Sequence, residues 1–475
     1  MQSTRNNSIS KTILAIITIF FVTAILAEPS LLIGYRTTAQ VHSGGNIQFA
    51  SHNPPPFEIL DISQLTKPPL TPTPTPVPTS RGLMYRNPNN PHRWMLDGKP
   101  FHPIGFGDCV YVRGANNAIL MGFDGEQSLN FTDLDTYFKA YSDAGFNFLR
   151  ISVGNCSFPL DLMSENWALM DAYIGKARQY GFQIQFCFFN TNPDTNQLEY
   201  VKKCVQRYGK DIAIWEVCNE TTVSDASDAA VSVVANFVKS IDAKKRPVTV
   251  SHHPNQYPYL RDIPALDLIS PHWYQEDDSE FSLDKDIVDR FVYLKAWGKP
   301  VIAGEYGLSS ANWSQVSALQ MRLASWSAFF NEVGLCFWNT SWDKNLKQEG
   351  NSNIYLGKQE RSFIKVLSDF TKQVPGNVKI ANIMVNKPDS VRAYALSSGN
   401  GYFAYLHAFT NHRSQTNGIS ITIESKTAGY ATWIESSTGR VLATGKVSAG
   451  RQTLPVPPFL IDVALKVSSS PSVKK

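Results

Sequence analysis

From about residue 84 the chain alternates between two textures. Short apolar runs recur as FHPIGFG (101–107), FNFLRIS (146–152), QIQFCFF (183–189), IAIWEVCNE (212–220), RPVTVSHH (246–253), DLISPHWY (267–274), PVIAGEYG (300–307) and GLCFWNTSW (334–342). Between them lie stretches with helical spacing, such as TDLDTYFKAYSDAG, NWALMDAYIGKARQYG, DAAVSVVANFVKSIDA and VSALQMRLASWSAFFNEVG. Several have polar starts and a Gly just past the end, which are helix punctuation. Eight strands with helices between them predict a (β/α)8 TIM barrel. A doubly wound sheet would carry a Gly-rich phosphate loop after an early strand, and none appears. A last helix, KQERSFIKVLSDFTKQV, closes the barrel region at 84–374.

The pattern then changes to period two. VRAYALSS, YFAYLHAF, GISITIES, YATWIESS and DVALKV alternate between Gly, Asn and Ser turns, which predicts a small antiparallel β-sandwich over 376–468. Its aromatic residues Tyr402, Tyr405, Tyr430 and Trp433 fall on core-like runs, so they read as structural rather than ligand-binding. Residues 41–83 lack periodicity and include the Pro/Thr linker KPPLTPTPTPVPTS, which stays extended and solvated. In residues 1–40, Arg5 and Lys11 precede the uncharged run TILAIITIFFVTAILA. Its length suits a signal peptide, or an N-terminal membrane anchor if uncleaved. Ala27 offers a cleavage point with bulky Ile25 at −3, while Thr37–Ala39 supplies smaller residues further on. The expectation is a secreted or extracellular protein, or one tethered to a membrane or cell surface. No Cys precedes Cys109, which excludes a lipid-modified N-terminal Cys.

Composition changes this picture in three respects. Aromatic content is 12%, with 10 Trp and 19 Tyr, and such rings stack on sugar faces as well as filling cores. The formal charge is +4, and residues 1–40 hold Arg5, Lys11, Arg36 and Glu28, leaving about +2 for the remainder, which is no nucleic-acid footprint. The six Cys form no C-x-x-C pair, and the chain offers no metal-ligand spacing, so no metal or cofactor is expected. In an exported chain some Cys could pair; Cys109 and Cys156 follow neighbouring strands, as do Cys187 and Cys218, with connectivity left open.

In a (β/α)8 barrel, chemistry sits at the C-terminal strand ends. Strand four ends on Asn219 and Glu220, strand seven on Glu305, and strand six on His272, Trp273 and Tyr274. Strand two carries Arg150 and strand eight Trp338. Alternation of side chains puts Ala303, Glu305 and Gly307 on one face, Ser270, His272 and Tyr274 on one, and Glu216, Cys218 and Glu220 on one. Glu216, below Glu220, reads as a buried partner of Arg150. His253 shares a face with Thr249 and Ser251 and is the pocket candidate of the His252–His253 pair. Asp108, just past strand one, either binds a sugar hydroxyl or caps the next element. Two carboxylates facing each other across a barrel mouth suit a retaining glycosidase, in which they stand about 5–5.5 Å apart.

The pairing of WEVCNE at strand four with AGEYG at strand seven resembles the clan A glycoside hydrolases, especially the family 5 cellulase and mannanase group, over roughly residues 84–370. The resemblance implies Glu220 as acid/base and Glu305 as nucleophile. It implies Asn219 on the 2-hydroxyl of the cleaved sugar, Arg150 and Tyr274 bonded to the nucleophile, His272 beside the acid/base, and Trp338 as a sugar-stacking floor. The sequence NETT departs from the commonest form, which has Pro after the Glu, so the resemblance is to the group rather than to a subfamily. It implies a carbohydrate substrate, with hydrolysis or transglycosylation by the same residues. A surface carbohydrate-binding protein that has lost catalysis would lack one of the two Glu. Sugar, linkage and oligomeric state have no signature in the chain.

Overall fold

The computed structural model divides the chain into units Met1–Lys67 and Pro68–Lys475. It describes residues 82–469 except 114–117, 122–126, 130, 154–166, 190–192, 194, 222–226, 253–262, 276–279, 309–312 and 339–356. The expected signal or anchor and the linker lie outside the described residues. Among the described residues, no helix is long and apolar enough to cross a membrane.

Eight parallel strands close a barrel. They are strand one Ile104–Arg113, two Phe148–Val153, three Gln183–Phe189, four Ile212–Cys218, five in two pieces (Val248–Thr249 and Ser251–His252), six Ser270–Gln275, seven Val301–Leu308 and eight Val333–Trp338. The first piece of strand five pairs with strand four and the second with strand six, while strand eight returns to strand one. The runs are apolar throughout because both faces are covered. In strand three, Ile184, Phe186 and Phe188 join the outer core, while Gln185 bonds to Glu216 and Ser270 on the other face. Each buried Phe contributes about 1.5–3 kcal/mol.

Helices cover the outside. After strand four, helix Asp228–Ile241 buries Val231, Val234, Ala235 and Val238, an i, i+3, i+4, i+7 stripe. Ser227 caps it, its side chain accepting from the Ala230 N–H at 3.2 Å, a contribution of about 1 kcal/mol. The helices expected from spacing appear at Phe131–Ala144, Trp167–Gln179, Asp228–Ile241, Trp313–Phe330 and Lys358–Thr371; Leu198–Tyr208 and Leu283–Phe291 join them. A three-stranded antiparallel sheet, Met84–Arg86, Trp94–Leu96 and Lys99–Phe101, precedes the barrel. Its Met84 and Trp94 cluster with Phe148, Ile214, Leu268, Ile302 and Cys336, so one end of the barrel is filled with apolar side chains.

Strand seven breaks the alternation expected of it. Ala303 pairs with Leu335 and Tyr306 with Phe337, so Gly304 and Glu305 together oppose Cys336 alone. Ala303 therefore packs in the outer core and Ile302 in the inner cluster. The expectation that Ala303 shares a face with Glu305 is corrected by this one-residue bulge. Gly304 suits the crowded inner position, because a Cβ there would stand 2.7 Å from Ser270 Oγ and 2.9 Å from His272 Nε2. Bulges re-aim side chains beside active sites, and this one carries Glu305.

The C-terminal region is the expected antiparallel sandwich. Six strands run in the order Lys379–Ile380, Arg392–Ser397, Gly401–His407, Asp462–Ser468, Gly429–Glu435, Val441–Val447, against three in the order Met384–Val385, Ser420–Ser425, Gly450–Pro455. Along Gly401–His407 the faces alternate. Tyr402, Ala404 and Leu406 fill the sandwich core, while Phe403 and Tyr405 join the barrel core. Tyr405 stacks on Trp326 of helix Trp313–Phe330, centroids 5.4 Å apart. The larger sheet thus covers barrel helices with one face and its partner sheet with the other.

Candidate active site

The site grows from one buried cation. Arg150 on strand two is fully buried. Its Nε and Nη2 donate to the two oxygens of Glu216, each at 2.7 Å. Nη1 donates to Glu305 Oε1 and Nη2 to Asn219 Oδ1, also at 2.7 Å. Burying such charges costs several kcal/mol unless geometry and hydrogen bonds are good, and here every link is short. Burial works to raise the Glu216 carboxyl, but Arg150, His272 and the Gln185 amide outweigh it and hold it below the usual carboxylate range. Arg150, for its part, is held well above its ordinary value despite burial, by Glu216 and Glu305.

Glu305 takes a second donor, the Tyr274 hydroxyl, on Oε2. Burial and the adjacent Glu305 charge push the Tyr274 phenol well up, so it stays a donor. Glu220 follows the end of strand four with φ of 43°, a left-handed conformation rare for a non-glycine residue. Strand five holds it there: Glu220 N–H donates to Ser251 Oγ at 2.9 Å and Thr221 N–H to Ser251 O at 3.1 Å. Such strain costs about 1–3 kcal/mol and concentrates at functional sites. His272 Nδ1 lies 3.0 Å from Glu220 Oε1 and 3.5 Å from Glu305 Oε2. One donor atom from each of Glu220, His272 and Glu305 lies within 4.8 Å of the others. Those three could converge on a cation by spacing, but Arg150 and Tyr274 already donate to both oxygens of Glu305, and the donor set suits proton and glycosyl transfer better.

Trp338 ends strand eight and is 7% exposed. Its indole fills the space over Gly107 of strand one, where a Cβ would come within 3.0 Å of Cε3. Glycine at 107 therefore makes room for the ring.

Residues 113–345 match the family model described as Cellulase (glycosyl hydrolase family 5). Over that stretch the barrel carries a family 5-like glycoside hydrolase domain and is similar to the clan A barrels. Solved structures agree on the fold. A glycoside hydrolase superposes with a TM-score of 0.58 at 17% identity, covering 83% of this chain and 98% of its own. A family 5 glycoside hydrolase from Bacteroides vulgatus ATCC 8482 gives 0.59 at 15%, covering 82% and 94%. A putative glycoside hydrolase from the same organism gives 0.59 at 12%, covering 83% and 84%. Those shares exceed what the barrel alone could fill, so the likeness extends into the sandwich. No curated protein sequence matches the chain.

Within this glycoside hydrolase barrel, Arg150, Asn219, Glu220, His272, Tyr274 and Glu305 form one connected group, and Glu216 pairs with Arg150 as expected. Asp108 sits in backbone register with Ile151 on strand one, its side chain outside the description. His253 lies outside the described residues. Cys187 and Cys218 are free and buried, as are Cys204 and Cys336; Cys187 Sγ contacts Phe189 O instead. Sequence reasoning missed Gln185, whose amide supports Glu216, and Ser251, which pins Glu220. Gln185 had a signal: it is a polar residue at an inward position of an otherwise apolar run.

Proposed function

We propose that the protein is a retaining O-glycoside hydrolase acting on an extracellular poly- or oligosaccharide. The carrying observation is the close approach of Glu220 and Glu305, within 4.8 Å between nearest oxygens, on the short side of the separation that retention requires. Glu305 attacks the anomeric carbon while Glu220 gives its proton to the leaving oxygen, forming a glycosyl-enzyme. Glu220 then takes a proton from water as the water oxygen attacks that carbon, releasing the sugar and Glu305. Arg150 and Tyr274 each donate to one oxygen of Glu305 and hold it aimed. Asn219 receives the sugar 2-hydroxyl, and Trp338 offers its indole face to the ring.

Glu220 has to arrive protonated. Burial drives its carboxyl up, but the His272 bond and charge and the Arg150 charge outweigh burial in the open cleft and hold it below the usual range. Its side chain is 29% exposed. A sugar covering that exposure deepens the burial contribution and moves Glu220 in the direction an acid needs. An extracellular setting is supported by the basic residues and apolar run of residues 5–27.

Glu220→Ala tests the acid role. Turnover should fall by about 10²–10⁴-fold on glycosides with poor leaving groups. Aryl glycosides with activated leaving groups should recover turnover when azide is added, because they need no acid and azide replaces the base-assisted water. Absence of rescue removes Glu220 from the acid/base role.

A further inference from the structure

A further carboxylate stands behind the site, against the strands that carry His272 and Glu305. Strands six and seven pair in register as His272 with Glu305, Trp273 with Tyr306 and Tyr274 with Gly307. His272, Tyr274 and Glu305 meet in the cleft. Trp273 and Tyr306, between and beside them, face the opposite way, towards helix Leu283–Phe291. There Asp286, almost buried, takes one donor on each oxygen. Trp273 Nε1 donates to Oδ1 at 3.2 Å and Tyr306 Oη to Oδ2 at 3.2 Å. Arg290, one turn along the helix, stands 3.6 Å from Oδ1 and stacks 3.8 Å from the Trp273 ring centroid.

Asp286 thus ties strand six to strand seven at the residues adjoining the His272–Glu305 pair. The tie falls beside an irregularity of the ladder, since the bulge interrupts regular pairing of strand seven with strand eight between Ala303 and Tyr306. It also has a cost. Burial raises the Asp286 carboxyl to about 6, with Arg290, Tyr306 and Trp273 only partly countering it. A folded-state value above the ordinary one means that folding disfavours the ionised form, so above that pH the charge works against the fold. An apolar side chain of similar size would avoid that cost but would take this acceptor away from Trp273 and Tyr306.

We propose that Asp286 is a positioning residue for the reaction, holding Glu305 through Tyr306, and His272 and Tyr274 through Trp273; this rests on the glycosidase reading of Glu305. Asp286 touches no substrate. Its effect is on how narrowly the Glu305 carboxylate is held relative to the sugar carbon, and small misplacements of a reacting group cost up to about 10²-fold in rate.

The test compares wild type, Asp286→Asn, Asp286→Leu and Glu305→Gln on an aryl glycoside, with kcat, KM and thermal midpoint measured at pH 7.5. Asn still accepts one of the two donors; Leu keeps volume and accepts none. The expected result is a modest loss of midpoint for Leu, KM little changed, and kcat per folded molecule falling in the order wild type, Asn, Leu, by roughly 10- to 100-fold for Leu. Wild-type kcat in a folded Leu variant, or a loss of kcat that only follows the unfolded fraction, overturns the positioning role. If wild type turns over no glycoside, or Glu305→Gln leaves turnover intact, the glycosidase reading fails and the proposal falls with it.

Discussion

The barrel mouth and the seam between barrel and sandwich each bury a carboxylate against an arginine, and they differ in what is left over. At the seam, Asp284 is fully buried and takes Arg392 at 2.9 and 2.6 Å, the Tyr394 hydroxyl at 2.9 Å and His407 Nδ1 at 2.8 Å. The carboxylate and His407 are sealed there, and only Arg392 and Tyr394 keep a partly exposed flank. Burial works against the Asp284 charge, yet His407 and Arg392 outweigh it and hold the carboxyl far below its usual range. At the mouth one guanidinium serves both Glu216 and Glu305, and a third carboxylate, Glu220, stands beside them on the open side. A closed ion pair can serve architecture. A surplus of acids with a route to solvent serves chemistry, because structure alone gains nothing from it.

The widest separation between the two regions comes from Glu305→Gln. The amide keeps the shape; its oxygen still accepts from Arg150 and its NH2 can donate to the Tyr274 oxygen, so the thermal midpoint should stay near wild type. Turnover should fall by about 10³-fold or more, since the amide oxygen is no nucleophile and groups that act as a unit fail together. Initial rates with an aryl glycoside, alongside circular dichroism melts, read both. Retained turnover would show that the acid surplus at the mouth is not the reacting pair.

Asp284→Ala is the counterpart at the seam. It strands Arg392 and His407 without their carboxylate and should cost about 3–5 kcal/mol of stability, the scale for breaking a buried pair from one side. Turnover per folded molecule should be largely retained. The sign with pH follows from the depressed carboxyl. The stabilisation is present above the ordinary Asp range and is lost only as pH falls through the lower folded-state value. The difference between wild type and Asp284→Ala in urea unfolding should therefore be constant from pH 8 to 5 and shrink below pH 4. A constant difference persisting into strong acid would contradict the ion-pair account.

Much of this was legible because the barrel writes itself in two-sided apolar runs. QIQFCFF and IAIWEVC can be nothing but covered strands, and the acids ending strands four and seven stand out against them. Parity placed Glu216 inward below Glu220, and the need to pair a buried charge pointed to a cation such as Arg150. The bulge was not legible, since its only trace is one of the two Gly in PVIAGEYG, and parity counting through it put Ala303 on the wrong face. The left-handed turn at Glu220 leaves no mark in NETT, because no glycine announces it. Helix Leu283–Phe291 was also unread. Its Asp284 and Asp286 look like solvated charges in a short polar stretch, and only docking of the sandwich and of strands six and seven buries them. Two residues apart, they are driven in opposite directions, Asp284 far down by its cations and Asp286 up to about 6 by burial. Sequence carries residue type; the partners that decide charge come from other elements.

The finest test uses one deletion of an oxygen in each region. Tyr274 and Tyr394 each donate a hydroxyl to a carboxylate, Glu305 and Asp284 respectively. Hydrogen bonds to charged groups are worth about 1.5–3 kcal/mol. In Tyr394→Phe two other partners, Arg392 and His407, remain on Asp284, so the loss should appear as about 1 kcal/mol of stability, with kcat unchanged. In Tyr274→Phe the carboxylate keeps Arg150, and solvent reaching the cleft can replace the lost donor in the resting enzyme. Stability should therefore barely move, whereas turnover should drop by about tenfold to a hundredfold, because the donor that aims Glu305 matters most when the sugar has displaced that solvent. Unfolding midpoints and kcat measured on both variants separate the two kinds of buried acid with the same chemical change. Equal effects on stability, with kcat untouched in both, would mean that the mouth is built like the seam.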